Sequence, residues 1–142
     1  MFGGAMSEEI TLDLARLVLE AQPFSSLIGA RLVGFEEGSA VLEVDVRDEL
    51  LQQNGFLHGG VLSYAADNAL TFAGGSVLGA SVLTGGFTIE YLRPAVGRTL
   101  SARAHVVEST RRRALCRCDL VMVGDEGERT VAAAQGTITR IE

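Results

Sequence analysis

The chain has 142 residues, of which 47% are hydrophobic, and a formal net charge of −6. This length is typical of one domain with one hydrophobic core, and the apolar content excludes an intrinsically disordered chain. The acidic balance lacks the broad basic surface that nucleic acid requires, so we do not expect nucleic acid as a partner. We predict a single domain over residues 1–142, with an N-terminal helical segment at residues 1–22.

The N-terminal segment predicts a helix that is ended by Pro23. Ser7 is a suitable N-cap, Glu8 and Glu9 stand in the first turn, and apolar residues from Ile10 onward recur at helical spacing. The sequence has neither an apolar run of about 18 to 20 residues, which a membrane span needs, nor a signal-peptide pattern. We therefore expect a cytosolic protein without a membrane partner.

From Gly29 onward the periodicity becomes alternating. Leu42, Val44 and Val46 alternate with charged residues after a turn at residues 36–39, which predicts a hairpin of two strands. Residues 61–73 predict a helix that is buried all round, because apolar side chains occupy every face. Four more strands follow Gly74-Gly75, near residues 82–91, 99–108, 113–123 and 130–141, with turn-forming segments between them.

This order of elements indicates an α+β fold, in which an antiparallel sheet packs on one face against the central helix. Because such a sheet leaves edge strands to be covered, we expect edge pairing between subunits and at least a dimer. Cys116 and Cys118 are two residues apart on a strand, so both thiols point to one face and are interpreted as core residues. We expect no metal site, because zinc needs about four ligands and only His58 and His105 remain.

Asp67 is the one carboxylate in the predicted apolar helix. Burying a polar group without a partner costs about 2 to 7 kcal/mol, and a bare charge costs more. Its helical neighbours are Ser63, Tyr64, Leu70 and Thr71, a mixed stripe that could line a pocket. Two interpretations remain open, a functional acid and a structurally satisfied carboxylate.

The segment before this helix, His58-Gly59-Gly60, offers a second candidate. The first N–H groups of a helix lack partners and carry the positive end of its dipole, and glycines let a ligand approach the backbone. An anion site and a simple tight turn both fit this pattern. His58 itself fits either acid–base chemistry or a ring hydrogen bond that holds the loop.

Three consecutive arginines, Arg111, Arg112 and Arg113, provide local positive charge in an acidic chain. Arginine clusters bind phosphate well, although a turn with solvated side chains has the same pattern. Arg93 and Arg98 are further candidates for phosphate binding.

The stretches QQNGFLHGGVLSYAADNA and TGGFTIEYLRPA resemble the hotdog-fold acyl-CoA thioesterases, in particular the PaaI-like branch of the 4-hydroxybenzoyl-CoA thioesterase superfamily. The resemblance extends over residues 23–141. It implies a hotdog fold, a curved antiparallel sheet around a long central helix, in homodimers that often join into tetramers. It also implies active sites at the dimer interface, an acyl-CoA substrate and no cofactor, since coenzyme A is part of the substrate.

The resemblance also assigns roles to individual residues. Asp67 corresponds to the carboxylate that activates water or attacks the thioester carbon, and Gly59 to the residue whose N–H polarises the thioester carbonyl. Gln52 and His58 would position the loop and the carbonyl, and Thr84 would hold the attacking water. Gly60 at the helix start and the arginines at residues 111–113 would bind coenzyme A.

A small aromatic or a short- to medium-chain acyl-CoA is the expected substrate. Two alternatives are a non-catalytic acyl-CoA-binding module and an acyl-thioester hydratase or dehydratase on the same fold. Five residues could line an acyl pocket or belong to the ordinary core: Phe56, Tyr64, Leu70, Phe72 and Phe87.

Overall fold

The computed structural model describes residues 10–141. The helices and strands within this range follow one another in the order α1 (Leu12–Glu20), α2 (Pro23–Ile28), β1 (Ala30–Glu36), β2 (Ser39–Asp45), a one-turn 3-10 helix (Asp48–Leu50), α3 (Gly59–Leu78), β3 (Val82–Tyr91), β4 (Thr99–Ser109), β5 (Arg113–Gly124) and β6 (Gly127–Arg140). None of the helices in this range has the length and apolar character that a bilayer crossing requires.

The six strands form one antiparallel sheet in the order β1-β2-β4-β5-β6-β3. The turn predicted at residues 36–39 joins β1 and β2, with Gly38 at φ 88°, a left-handed conformation that glycine adopts without strain. After α3 the chain crosses to the opposite edge of the sheet, where β6 is the one partner of β3 among the described strands. Strands β1 and β3 are therefore the two edges of the sheet.

Helix α3 lies across the sheet and contacts all six strands. Its alanines at positions 65, 66, 69 and 73 are fully buried, and these small side chains let the strands approach the helix closely. Large side chains of the sheet, such as Leu42, Leu100 and Leu120, fill the core around them. The prediction of an α+β hotdog fold, a curved sheet around a long buried helix, is confirmed.

Helix α3 is longer than predicted at both ends, and it runs through Gly74-Gly75 to Leu78. A Cβ on Gly74 would lie 2.6 Å from the Cβ of Ile138 on β6, which is closer than atoms in contact can lie. This glycine therefore permits close helix–sheet packing and does not end the helix, which is why the interpretation of Gly74-Gly75 as a boundary was wrong.

The N-terminal helices differ from the prediction. Ser7, Glu8 and Glu9 lie outside the described residues, and α1 begins at Leu12 with Thr11 as its N-cap, whose hydroxyl accepts a hydrogen bond from the Leu14 N–H. Helix α1 ends at Glu20, and Pro23 begins a second helix, α2, that the prediction missed. Proline suits this first helical position because its missing N–H has no helical partner there.

The strands after α3 confirm the predictions closely, since β3 has the predicted bounds and β6 begins three residues earlier than expected, at Gly127. Cys116 and Cys118 of β5 both lie fully buried in the core, as predicted. Burial raises the pKa of the Cys116 thiol to about 11 and that of the Cys118 thiol to about 12.

Candidate active site

Asp67 lies half-buried on α3, where its carboxylate meets strand β3. The hydroxyl of Thr84, near the start of β3, donates to Asp67 Oδ1 at 2.5 Å. A hydrogen bond to a carboxylate is charge-assisted and therefore strong. Oδ2 has no hydrogen bond among residues 10–141, so one carboxylate oxygen is fixed and the other is available to a bound molecule.

Thr71, one helical turn after Asp67, extends this arrangement. Its Oγ1 lies 2.8 Å from Thr84 Oγ1 and 2.8 Å from the Asp67 carbonyl oxygen. Each hydroxyl has one hydrogen. Thr84 donates its hydrogen to the carboxylate, so Thr71 donates its own either to Thr84 or to the Asp67 carbonyl oxygen. The family resemblance assigned Thr84 to the attacking water, a role that stays a prediction, and Thr71 was given no role beyond its place in the helical stripe.

His58 is the N-cap of α3. Its ring Nδ1 accepts a hydrogen bond from the Gly60 N–H at 2.8 Å, and its backbone carbonyl accepts from the Val61 N–H at 2.9 Å. A neutral His58 therefore carries its proton on Nε2. Of the two roles considered for His58, the structure contains the ring hydrogen bond that holds the loop.

Gly59 and Gly60 differ in what their N–H groups contact. The Gly60 N–H is occupied by His58, whereas the Gly59 N–H has no hydrogen-bond partner among the described residues. A Cβ on Gly60 would lie 3.0 Å from His58 Nδ1, a close contact that the imidazole would have to relieve by a small shift. The free backbone donor at the positive end of α3 therefore belongs to Gly59.

Tyr91, at the end of β3, fixes the same helix terminus and was missed by the sequence analysis. Its hydroxyl donates to the Gly59 carbonyl oxygen at 3.2 Å and lies 3.0 Å from Ser63 Oγ. The YLRPA motif that begins with Tyr91 was a signal for it, but the motif alone does not say which element the ring contacts.

Gln52 stabilises the loop that leads into α3. Its side-chain oxygen accepts hydrogen bonds from the backbone N–H groups of Asn54 and Phe56. The backbone N–H of Gln52 donates to the Phe56 carbonyl oxygen at 2.8 Å. These contacts support the loop-positioning part of its predicted role. Its contact with a substrate carbonyl remains a prediction.

Within one chain the candidate residues form two separate groups. Gly59 and Asp67 are eight residues apart on helix α3, which corresponds to a rise of about 12 Å. The reacting carbon of one substrate cannot contact both of them. A single chain therefore brings together Asp67, Thr71 and Thr84 at one end of β3, and His58, Gly59 and Tyr91 at the other.

The arginines at positions 111–113 lie at the β4–β5 turn, where all three side chains are exposed. Arg113 pairs with Thr139 of β6, which pairs with Leu83 of β3, so the turn is two strands, about 10 Å, from the Thr84 end of the site. Of the other two candidates, Arg93 donates to the Thr130 carbonyl and Arg98 forms an ion pair with Asp125 at 3.5 Å.

The five residues considered for an acyl pocket have different surroundings. Leu70 is fully buried core, and the Tyr64 hydroxyl donates to Ser25 at 2.5 Å against α2. Phe56 and Phe87 are half-buried, and only Phe72 of the five lines a cavity found beside α3. Among residues 10–141, no three His, Cys, Asp or Glu side chains come together as potential metal ligands.

The sheet wrapped around one buried helix is the hotdog fold, and the match of the chain to known thioesterases makes it a thioester hydrolase of that fold. Residues 54–128 match the thioesterase superfamily, and the chain belongs to that family.

Individual relatives resemble the chain along most of its length. Acyl-coenzyme A thioesterase PaaI of Escherichia coli strain K12 is 29% identical over 128 residues, covering 89% of each protein. The structure of a thioesterase family protein from Silicibacter pomeroyi gives a TM-score of 0.84 at 31% identity and covers 89% of this chain and 96% of that one. The structure of the E. coli PaaI protein from the phenylacetic acid degradation operon gives a TM-score of 0.79 at 27% identity and covers 90% of this chain and 91% of that one. The chain is thus a PaaI-like thioester hydrolase.

Proposed function

We propose that the chain hydrolyses a small aromatic or a short- to medium-chain acyl-CoA to the free acid and coenzyme A. The observation that carries this proposal is the half-buried Asp67 carboxylate, which Thr84 holds by one oxygen at 2.5 Å while the other oxygen has no hydrogen-bond partner in the described part of the chain. A thioester is already activated, so its hydrolysis needs little more than a positioned water, a base and an oxyanion donor. The name of the E. coli relative, an acyl-coenzyme A thioesterase, supports the same substrate class.

Asp67 has two possible roles in this reaction. As a general base it takes a proton from water while the water oxygen bonds to the thioester carbon, and the C–S bond then breaks as the sulfur leaves and gains a proton. As a nucleophile its second oxygen attacks the carbon, the C–S bond breaks as the coenzyme A thiolate leaves and gains a proton, and water then cleaves the resulting anhydride to the free acid and the Asp67 carboxylate. In both routes the N–H of Gly59 stabilises the negative oxygen that develops on the carbonyl.

The separation of Asp67 from Gly59 supports a site shared by two subunits. Strand β3 runs antiparallel to α3, with Thr84 beside Asp67 and Tyr91 beside Gly59. Antiparallel pairing of β3 with a second copy around its midpoint, near Phe87, would bring Asp67 of one copy to Gly59 of the other. Exposed apolar residues on and after this edge strand favour such pairing, namely Leu83 at 60% exposure, Leu92 at 57% and Val96 at 66%.

The exposed arginines at positions 111–113 are the proposed contact for the coenzyme A phosphates, near the Asp67 end of the site. Gly60 contributes by giving the pantetheine chain close access to the backbone. We also propose that two dimers join into a tetramer, which light scattering of the purified protein would measure. The proposed location is the cytosol.

The first experiment measures thiol release from aromatic and aliphatic acyl-CoAs of several lengths. Asp67→Asn keeps the shape and an oxygen acceptor for Thr84 but removes the charge, so we expect kcat to fall by about 100-fold or more with an unchanged circular dichroism spectrum. Asp13→Asn is the matched control, because the Asp13 side chain is 94% exposed on α1. Equal turnover by Asp67→Asn and the wild type would refute the role of Asp67. Binding of acyl-CoA by the wild type without thiol release from any member of the series would refute hydrolysis.

The shared site is tested by mixing two inactive variants. A heterodimer of Asp67→Asn and Gly59→Pro chains would contain one site with both groups intact, so random exchange should restore about a quarter of wild-type activity. If each chain holds a complete site, mixing restores none.

A further inference from the structure

A cavity of about 170 Å³ lies between α1, α3 and the strands β1 and β3. Six of its lining residues define its walls: Ala15 and Val18 from α1, Phe35 from β1, Thr71 and Phe72 from α3, and Val82 from β3. Phe35 and Phe72 meet edge to face with ring centroids 6.4 Å apart. The walls are therefore mainly apolar and are built from four elements that pack on the core.

Thr71 joins this cavity to the candidate active site. It lines the cavity, and its hydroxyl oxygen lies 2.8 Å from Thr84 Oγ1, which in turn lies 2.5 Å from the Asp67 carboxylate. Asn68, the next residue after Asp67, also lines the cavity. A thioester whose carbonyl carbon lies at Asp67 therefore has an apolar space of limited size within reach of its acyl tail.

The size of the cavity limits what it can hold. An apolar cavity of about 150 Å³ in a protein interior accommodates one benzene molecule. A volume of about 170 Å³ therefore corresponds to a tail of about six carbons, either a ring or a short chain.

We propose that this cavity is the acyl pocket, that it accepts tails of about six carbons, and that helix α1 is the wall that sets this limit. The inference rests on the proposed function, because it needs the acyl carbonyl at Asp67. The role of α1 follows from its attachment, since Arg16 Nε donates to the Leu32 carbonyl of β1 at 2.8 Å and Ala15 and Leu19 are buried against the core. Helix α1 is thus a fixed wall and cannot move away freely for a longer tail.

Val18 is the specificity-determining residue in this arrangement. It lines the cavity from α1 but is 41% exposed, so a larger side chain here can occupy the rim without entering the packed core. Leu17 is its neighbour on the same helix, is 62% exposed and does not line the cavity. The pair gives a test variant, Val18→Phe, and a matched control, Leu17→Phe.

The experiment compares kcat/KM for straight-chain acyl-CoAs from two to twelve carbons, and for phenylacetyl-CoA, in the wild type and both variants. Each buried methylene improves kcat/KM about fourfold, so the wild type should improve up to about six carbons and then decline. Val18→Phe should lose at least tenfold on hexanoyl-CoA relative to acetyl-CoA, and Leu17→Phe should keep the wild-type profile. Phe35→Val enlarges the opposite wall and should shift the optimum to a longer chain.

Binding separates failure of this inference from failure of the proposed function. Calorimetry with acetyl-, hexanoyl- and decanoyl-CoA on Asp67→Asn and Asp67→Asn/Val18→Phe measures chain-length selectivity without turnover. If the wild type hydrolyses no acyl-CoA but binding still depends on length and on Val18, hydrolysis is refuted and the pocket stands. If Val18→Phe lowers affinity and kcat/KM equally for all chain lengths, or changes neither, the pocket is refuted while hydrolysis stands.

Discussion

The Thr84 hydroxyl donates to the Asp67 carboxylate at 2.5 Å and thereby joins the middle of the buried helix to the edge strand of the sheet. This one contact explains how a carboxylate is held in an apolar helix, because a charge-assisted hydrogen bond offsets part of the cost of burial. The proposed reaction uses the other oxygen of Asp67, for which the described residues provide no hydrogen bond.

Replacing Thr84 by valine keeps the shape of the side chain and removes this hydrogen bond. A hydrogen bond to a charged group is worth about 1.5 to 3 kcal/mol, so we expect kcat to fall roughly 10- to 100-fold. Thr84→Ser retains the hydroxyl and should keep activity within a fewfold of the wild type. Steady-state thiol release measures both variants, and a Thr84→Val enzyme with wild-type kcat would show that the hydroxyl has no part in the reaction.

Gly59→Pro removes the N–H that we assign to the oxyanion while keeping the helix. Proline is favoured at the first helical position, and His58 at φ −62° and ψ 136° already has the extended conformation that a residue before proline adopts. Loss of one oxyanion donor costs about 100- to 1,000-fold in kcat. Gly59→Ala is the control, because its Cβ would lie at an ordinary 3.5 Å from Tyr91 and its N–H remains. Similar kcat for both variants would contradict the assignment.

Gly74 and Gly75 provide a matched pair for helix–sheet packing. A Cβ at Gly74 would lie 2.6 Å from Ile138, whereas one at Gly75 would lie 3.6 Å from Val82, an ordinary contact. Alanine adds about 1 kcal/mol of helix propensity at either position. The difference between the variants therefore isolates overpacking, and urea unfolding should place Gly74→Ala about 1 to 3 kcal/mol below Gly75→Ala. Equal stabilities would mean that β6 moves away without cost.

The two core thiols should not react in the native protein. Burial raises the pKa of Cys116 to about 11 and of Cys118 to about 12, and both are inaccessible, so an aromatic disulfide reagent at pH 8 should label neither. Two thiols per chain should react in denaturant. Because burial raises both pKa values, folding favours the neutral form of each thiol. The contribution of the neutral thiols to the free energy of unfolding is fully present below pH 9 and is lost as pH rises through 11 to 12. Rapid labelling of the native chain would contradict this burial.

Local patterns in the sequence determined most of the secondary structure. Alternating residues indicated the first hairpin, turn-forming segments marked the bounds of β3, and apolar residues on every face indicated that α3 is buried all round. The cost of a charge in such a helix identified Asp67 as a residue in need of a partner. These predictions depend on neighbours within a few positions, where the periods of helix and strand are directly visible.

The tertiary structure decided the contacts between residues far apart in the chain. Three such features depend on how α3 crosses to the edge strand. They are the hydrogen bond between Asp67 and Thr84, which are 17 residues apart, the close approach of Gly74 to Ile138, and the cavity under α1. The same glycine pattern suits a helix end or a close approach of backbone and side chain, and only the neighbouring strand distinguishes them. Packing thus selects one arrangement among several that local sequence preferences permit equally.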